Sequence, residues 1–138
     1  MLQLADFNGD GALDLVTQAL NSAGSFDVFT GNLVAGKWDG TFDLTKTQNV
    51  ISGSSSTSGS FAWPVIADFN NDGLLDVWIP RGAWLGKAGR MPGSLLRNDG
   101  NGTFSDVTEE AGILRFHPTQ ACRWLDFNND GLIDLFIG

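Results

Sequence analysis

The stretch DFNNDGLLD, residues 68–76, occurs again almost letter for letter as DFNNDGLID at residues 126–134. A third copy, DFNGDGALD, lies near the start of the chain at residues 6–14. A second marker, Gly-Thr-Phe, begins at residue 40 and again at residue 102, each time 34 positions after the first Asp of a copy. Two markers in phase indicate an internal repeat of about 60 residues, a period typical of propellers, solenoids and other repeat arrays.

Each repeat unit has the same order of segments. An apolar run precedes the acidic stretch, a run rich in β-branched residues follows it, and two further runs complete the unit, the last one opened by Gly-Thr-Phe. Four short strands per unit are typical of a propeller blade. The sequence therefore predicts an all-β fold of four-stranded antiparallel blades. Blade 1 is expected over residues 1–60, blade 2 over 61–118, and the first half of blade 3 over 119–138.

Composition agrees with this prediction and excludes some partners. The 138 residues include 18 Gly, often next to Asn and Asp, which is typical of a β fold with many tight turns. No apolar run is long enough to span a membrane. The formal net charge of −8 argues against nucleic acid as a partner, since phosphates require a basic surface. Nine of the sixteen acidic residues lie in the three repeated stretches, which indicates cations as the partner instead.

The repeated stretches, called loops 1, 2 and 3 below, offer oxygen atoms at alternate positions. Calcium takes six to eight oxygen ligands in a flexible shell, so we expect three structural calcium ions, one per loop. The predicted ligands are Asp6, Asn8, Asp10, Asp14 and the carbonyl of Ala12 in loop 1; Asp68, Asn70, Asp72, Asp76 and the carbonyl of Leu74 in loop 2; and Asp126, Asn128, Asp130, Asp134 and the carbonyl of Leu132 in loop 3.

A metal-free turn, an EF-hand and a zinc or copper site are the alternative interpretations of the loops. An Asx-rich turn without a metal would explain a single copy, but three copies with the same oxygen positions favour the ion. An EF-hand requires Glu at position 12 and flanking helices, whereas position 12 is Thr17, Ile79 or Ile137 and the flanks are typical of strands. Oxygen-only ligands disfavour zinc and copper.

The segments DFNNDGLLDV, SLLRNDGNGTFSDVTEEAGI and RWLDFNNDGLIDLFIG resemble the FG-GAP or VCBS repeats of integrin-α-type β-propellers. They are most similar to the ASPIC/UnbV and cartilage-acidic-protein group, and GAWLGKAGRMPGSLLRN resembles its bacterial members. The resemblance covers nearly the whole chain. It implies a seven- or eight-bladed propeller, calcium in the blade loops, and an extracellular, cell-surface or periplasmic setting. Since propellers of this family are several times longer, we expect the chain to be a piece of a larger propeller.

The expected function is a calcium-stabilised module that binds a protein or glycan partner in adhesion or scaffolding. The alternatives are part of a propeller-fold polysaccharide lyase or hydrolase, and a purely structural assembly subunit that contacts neighbouring blades. We expect no catalytic activity, because Cys122 lies alone in an apolar run and the single His117 precedes a proline, so no nucleophile–base pair is visible.

Two further surface features are candidates for interaction. The segment 80–93 holds Arg81, Trp84, Lys87 and Arg90, and it is the candidate partner contact, although Trp84 could equally pack on its own blade. Asn101 begins the sequon Asn-Gly-Thr at a predicted hairpin tip, where a glycan could project into solvent. A simple turn without a glycan is the favoured reading there.

Overall fold

The computed structural model describes residues 2–18, 26–50, 64–82 and 90–138. Within these ranges all regular structure is β, and no helix occurs. The strands are β1 (Leu2–Ala5), β2 (Asp14–Gln18), β3 (Phe26–Val34), β4 (Lys37–Val50), β5 (Val65–Ala67), β6 (Asp76–Ile79), β7 (Ser94–Asn98), β8 (Phe104–Asp106), β9 (Cys122–Leu125) and β10 (Asp134–Ile137). A helix that could cross a bilayer is likewise absent from the described ranges.

The strands form three sheets in which chain neighbours are sheet neighbours. Two sheets have four strands, in the orders β1-β2-β3-β4 and β5-β6-β7-β8, and the third consists of β9 and β10. The prediction of an all-β fold with four-stranded antiparallel sheets is confirmed.

Each acidic loop joins the first two strands of a sheet in the same register. Ala5 pairs with Asp14, Ala67 pairs with Asp76, and Leu125 pairs with Asp134. The residue before each loop thus faces the ninth residue of that loop across an antiparallel pair. Because a shift of one residue would turn every side chain to the opposite face, the shared register places equivalent side chains on equivalent faces in all three sheets.

The chain forms two compact units, each with its own buried side chains. Unit 1 comprises Met1–Gly59, Gly73–Leu75 and Asn98–Phe104, and its buried hydrophobic residues include Phe7, Ala12, Val16 and Val28. Unit 2 comprises Ser60–Asp72, Asp76–Arg97 and Ser105–Gly138. Its core is formed by Trp78, Leu95 and Val107, against which the half-buried Val65, Phe69, Ile113, Cys122, Trp124 and Leu135 pack.

The strand β6 shows why the second sheet is well buried. All four of its residues are buried, including Trp78 and the carboxylate of Asp76, because the strand has β5 on one side and β7 on the other. The indole of Trp78 lies against the backbone of Gly93, where a Cβ atom would come within 2.4 Å of the ring. The absence of a side chain at residue 93 is therefore required for this packing.

The turn between β3 and β4 contains a strained residue and generates a prediction. Ala35 and Gly36 link the paired residues Val34 and Lys37, and both have positive φ, 51° and 75°. Such a two-residue turn suits the twist of a hairpin but costs about 1–2 kcal/mol when a residue with a Cβ adopts it. We expect Ala35→Gly to raise the free energy of unfolding by about 1 kcal/mol in urea denaturation. Gly36→Ala is the matched control and should lower it; equal effects of the two changes would contradict the prediction.

Candidate metal-binding loops

The first Asp of each loop folds the following residues around its own carboxylate. In loop 1, Asp6 Oδ1 accepts hydrogen bonds from the N–H groups of Gly9 at 2.8 Å and Asp10 at 3.2 Å, and Oδ2 accepts from Gly11 at 2.9 Å. Asp126 in loop 3 binds the N–H groups at positions 5 and 6 in the same way, and Asp68 in loop 2 binds the one at position 5. Successive backbone N–H groups of this kind form an anion-binding concavity, here filled by the loop's own carboxylate.

The third and fifth residues form a second repeated set of bonds. Asn8 Nδ2 donates to Asp10 Oδ2 at 2.8 Å, while Asp10 N–H donates back to Asn8 Oδ1 at 3.0 Å. The corresponding distances are 2.8 and 3.1 Å in both loop 2 and loop 3. Three separate loops therefore place their side-chain oxygens at positions 3 and 5 in the same way.

Backbone conformation explains two other fixed positions of the loops. The fourth residue has positive φ in every copy, at 71° in Gly9, 58° in Asn71 and 59° in Asn129. The sixth residue is Gly11, Gly73 or Gly131, with φ between 84° and 89°. Gly adopts this conformation without strain, and Asn is the side chain that tolerates it best. Both positions are therefore limited to residues that adopt a left-handed backbone conformation at low cost.

The ninth residue has a role that the sequence analysis missed. Its Oδ2 accepts a hydrogen bond from the N–H of the Phe at position 2, at 2.7 Å for Asp14, 3.1 Å for Asp76 and 2.9 Å for Asp134. Asp14 Oδ1 also accepts from the N–H of Gly31 in β3 at 2.8 Å, and Asp14 is fully buried. This carboxylate thus ties the loop to the third strand of its own sheet.

Burial and neighbouring charge act together on Asp14. Burial raises the pKa of its carboxyl above the ordinary value, the N–H groups of Gly31 and Phe7 lower it, and the negative charges of Asp10 and Asp6 raise it further. At the exposed Asp130 the balance is reversed. The Leu132 N–H and the Asn128 amide hold the pKa of that carboxyl below its usual range. Loop 1 therefore concentrates mutually repelling negative charge, and a bound cation would relieve this repulsion.

The residues fit calcium by donor chemistry, but the carboxylates are not gathered around one point. A carboxylate offers about four lone-pair directions, so the hydrogen bonds at Asp6 and Asp10 leave room for a cation. In the ranges that the structure describes, however, no three Asp, Glu, His or Cys side chains are placed to hold one metal ion. The reason is visible at position 9, where the carboxylate is turned towards the Phe N–H.

A comparison with protein-family models gives one match that covers nearly the whole chain. The model of the FG-GAP-like repeat matches residues 6–79 and 84–137, and these two ranges contain all three loops. The chain belongs to the FG-GAP-like repeat family. A search of curated proteins gives no match. The family assignment supports the predicted FG-GAP repeat; it does not reach the finer ASPIC/UnbV and cartilage-acidic-protein grouping.

The predicted partner contact of this FG-GAP-like repeat protein needs a correction at Arg81. Its guanidinium is buried and donates from Nη1 to the carbonyl of Pro92 at 3.0 Å and to Ser94 Oγ at 2.8 Å. Burial lowers its pKa, partly offset by the negative charge of Asp106. Arg81 therefore joins parts of unit 2 and is not a surface contact. Arg90 is exposed, whereas Trp84 and Lys87 lie outside the described residues.

The remaining candidate residues have ordinary surroundings. Asn101 is exposed, and its Oδ1 accepts from the Thr103 N–H at 2.9 Å and from the Thr103 hydroxyl at 2.7 Å, so it closes a turn; glycosylation there stays a prediction.

Cys122 packs against the core of unit 2, and burial raises the pKa of its thiol to about 11. A nucleophilic Cys needs a lowered pKa, so this environment suits a packing role.

The buried bonds of Asp14 generate a prediction about stability without metal. In Asp14→Asn, one oxygen becomes an NH₂ group that would face an N–H donor, which should lower the free energy of unfolding by about 2 kcal/mol. The measurement is urea denaturation in excess chelator. Asp10→Asn is the matched control in the same loop and, because Asp10 is exposed, should change the free energy by less than about 0.5 kcal/mol. Equal effects of the two changes would contradict the anchoring role of Asp14.

Proposed function

We propose that the chain is a calcium-binding β-propeller repeat module that serves protein or glycan binding, adhesion or scaffolding outside the cytoplasm. The observation that supports it best is the recurrence of one side-chain arrangement in three loops. The Asn at position 3 and the Asp at position 5 are bonded alike in each copy, and the first Asp accepts the N–H of position 5 in each. These oxygens are the hard ligands that calcium prefers.

The charge of the chain also supports the proposal. With nine of sixteen acidic residues in the three loops, the formal charge of −8 is concentrated at the proposed sites. Three calcium ions would change that charge to about −2 and reduce self-repulsion in the folded state. In this proposal the ions are structural: they link the first two strands of each sheet at the loop that joins them.

The proposed setting and subgroup rest on family and sequence. FG-GAP-like repeats are typical of extracellular or periplasmic β-propellers, which is the setting we propose here. We further propose membership of the ASPIC/UnbV and cartilage-acidic-protein group, on the strength of the segment SLLRNDGNGTFSDVT. We also propose a binding rather than a catalytic role, since the Cys122 thiol, with a pKa of about 11, is poorly suited to be a nucleophile.

Titration calorimetry tests the calcium part of the proposal. The intact protein should bind three ions, with dissociation constants on the order of 10⁻⁴ to 10⁻³ M or tighter. Asp72→Ala should remove or weaken one of the three sites. Asp39→Ala is the matched control, because Asp39 is an exposed Asp outside the loops, and it should leave three sites. Absence of calcium uptake by the unmodified protein, or equal losses in the two variants, would contradict the proposal.

A binding screen tests the partner part. The protein should bind a protein or glycan in millimolar calcium and lose that binding in excess chelator, because the loops that support the binding surface would loosen. The variant Arg90→Ala tests whether the exposed Arg90 of segment 80–93 contacts the partner. It should weaken partner binding without changing calcium uptake. Partner binding that persists unchanged in chelator would count against calcium-dependent recognition.

A further inference from the structure

The side chain of Asn98 links loop 1 and loop 2. Asn98 lies at the end of β7, and only 4% of its surface is exposed. Its Nδ2 donates to the carbonyl of Phe7 in loop 1 at 2.6 Å and to the carbonyl of Leu75 in loop 2 at 3.2 Å. Its Oδ1 accepts from the N–H of Gly100 at 3.0 Å, which fixes the orientation of the amide. An amide nitrogen carries two hydrogens, so one donor group serves both loops.

Phe7, the residue of loop 1 that Asn98 binds, is held by three contacts. The N–H of Phe7 donates to Asp14, its carbonyl accepts from Asn98, and its ring meets the ring of Phe104 edge to face at 6.4 Å and 63°. Phe7 is only 3% exposed. A displacement of Phe7 would therefore disturb both Asp14 and Asn98. In loop 2, Asn98 binds the carbonyl of Leu75, the residue directly before the ninth-position Asp76.

A second contact joins the same three segments. The side chain of Leu74, whose carbonyl is a proposed ligand of loop 2, lies beside the fourth residue of loop 1. A Cβ atom at Gly9 would be 3.9 Å from Leu74 Cδ2, and one at Gly100 would be 3.0 Å from Leu74 Cδ1. Residues in direct contact, or in one hydrogen-bond network, affect each other's energetics. Loops 1 and 2 share a hydrogen-bond network through Asn98.

We propose that Asn98 is a positioning residue that couples calcium binding at loop 1 to calcium binding at loop 2. This inference rests on the proposed function. An ion bound at loop 1 would stabilise the loop, and with it the Phe7 carbonyl that helps to hold the Asn98 amide against Leu75. The second ion then binds to a loop that is already in place. Such coupling is reciprocal and is typically 5- to 150-fold in affinity. The Asn98 side chain bonds to Phe7, Leu75 and Gly100, so loop 3 serves as the comparison.

The test follows each loop separately by nuclear magnetic resonance. The backbone amides of Gly11, Gly73 and Gly131 report on loops 1, 2 and 3 during a calcium titration. Asp10→Asn weakens loop 1, and Asp130→Asn is the matched change in loop 3. We expect Asp10→Asn to raise the calcium midpoint at Gly73 about 5-fold and Asp130→Asn to leave it within about 2-fold. Equal midpoints at Gly73 in both variants would overturn the coupling.

The role of Asn98 itself is tested in a double-mutant cycle. With Asn98→Ala in the background, Asp10→Asn should no longer change the midpoint at Gly73, while Gly131 keeps its own midpoint throughout. A 5-fold effect that persists would assign the coupling to another contact and overturn the role of Asn98. If Asn98→Ala fails to fold, the comparison of Asp10→Asn with Asp130→Asn still decides whether loops 1 and 2 are coupled, since neither change touches Asn98. If no glycine responds to calcium in the unmodified protein, the proposed function fails as well; if all three respond without coupling, only the inference fails.

Discussion

The hydrogen bond from the Phe N–H at position 2 to the Asp carboxylate at position 9 closes each acidic loop, and the first two strands of each sheet pair next to it. It spans the loop where the two strands begin to pair, next to the Ala5–Asp14 pair or its equivalent. In loop 1 the same carboxylate also binds the Gly31 N–H, so one buried side chain of β2 joins the loop to β3. A buried acceptor that serves two backbone donors is costly to replace, so Asp14 is required by the fold as well as by the proposed ion.

The carboxylates within a loop repel one another, and yet the loop is ordered. Hydrogen bonds from backbone N–H groups to these carboxylates explain how. The backbone N–H groups of positions 4 to 6 surround the Asp6 carboxylate, and the left-handed residues at positions 4 and 6 turn those groups inward. Partial positive charge of the backbone thus offsets part of the carboxylate charge before any cation binds. Asp10 is exposed and Asp6 is half-buried. Calcium binding would then add to an arrangement that already exists.

Much of the fold could be predicted from the sequence, because the motif specifies both strands and their register. The period of about 60 residues and the four runs per unit predicted the sheets. The bonds of Asp14 to the backbone N–H groups of Phe7 and Gly31 could not be predicted. An Asp at this spacing is expected equally for a metal ligand and for an acceptor of N–H bonds. Arg81 was assigned to the surface from its charge, but Pro92 and Ser94, eleven and thirteen residues later, supply the acceptors that bury it. The role of Asn98 could not be predicted, because its partners are 91 and 23 residues away.

Three nearly identical loops need not be three equivalent sites. The Phe at position 2 is buried and contacts Asn98 and Phe104 in loop 1, whereas in loop 2 it is half-buried and stacked on Trp124 at 6.3 Å. The ligand atoms offered to calcium are the same in each case. The free energy needed to hold those atoms in place differs, because it depends on what covers the loop and not on the nine residues themselves. If the loops bind calcium as proposed, the affinity of each loop is therefore set by its surroundings, and identical motifs can differ in the calcium concentration at which they fill.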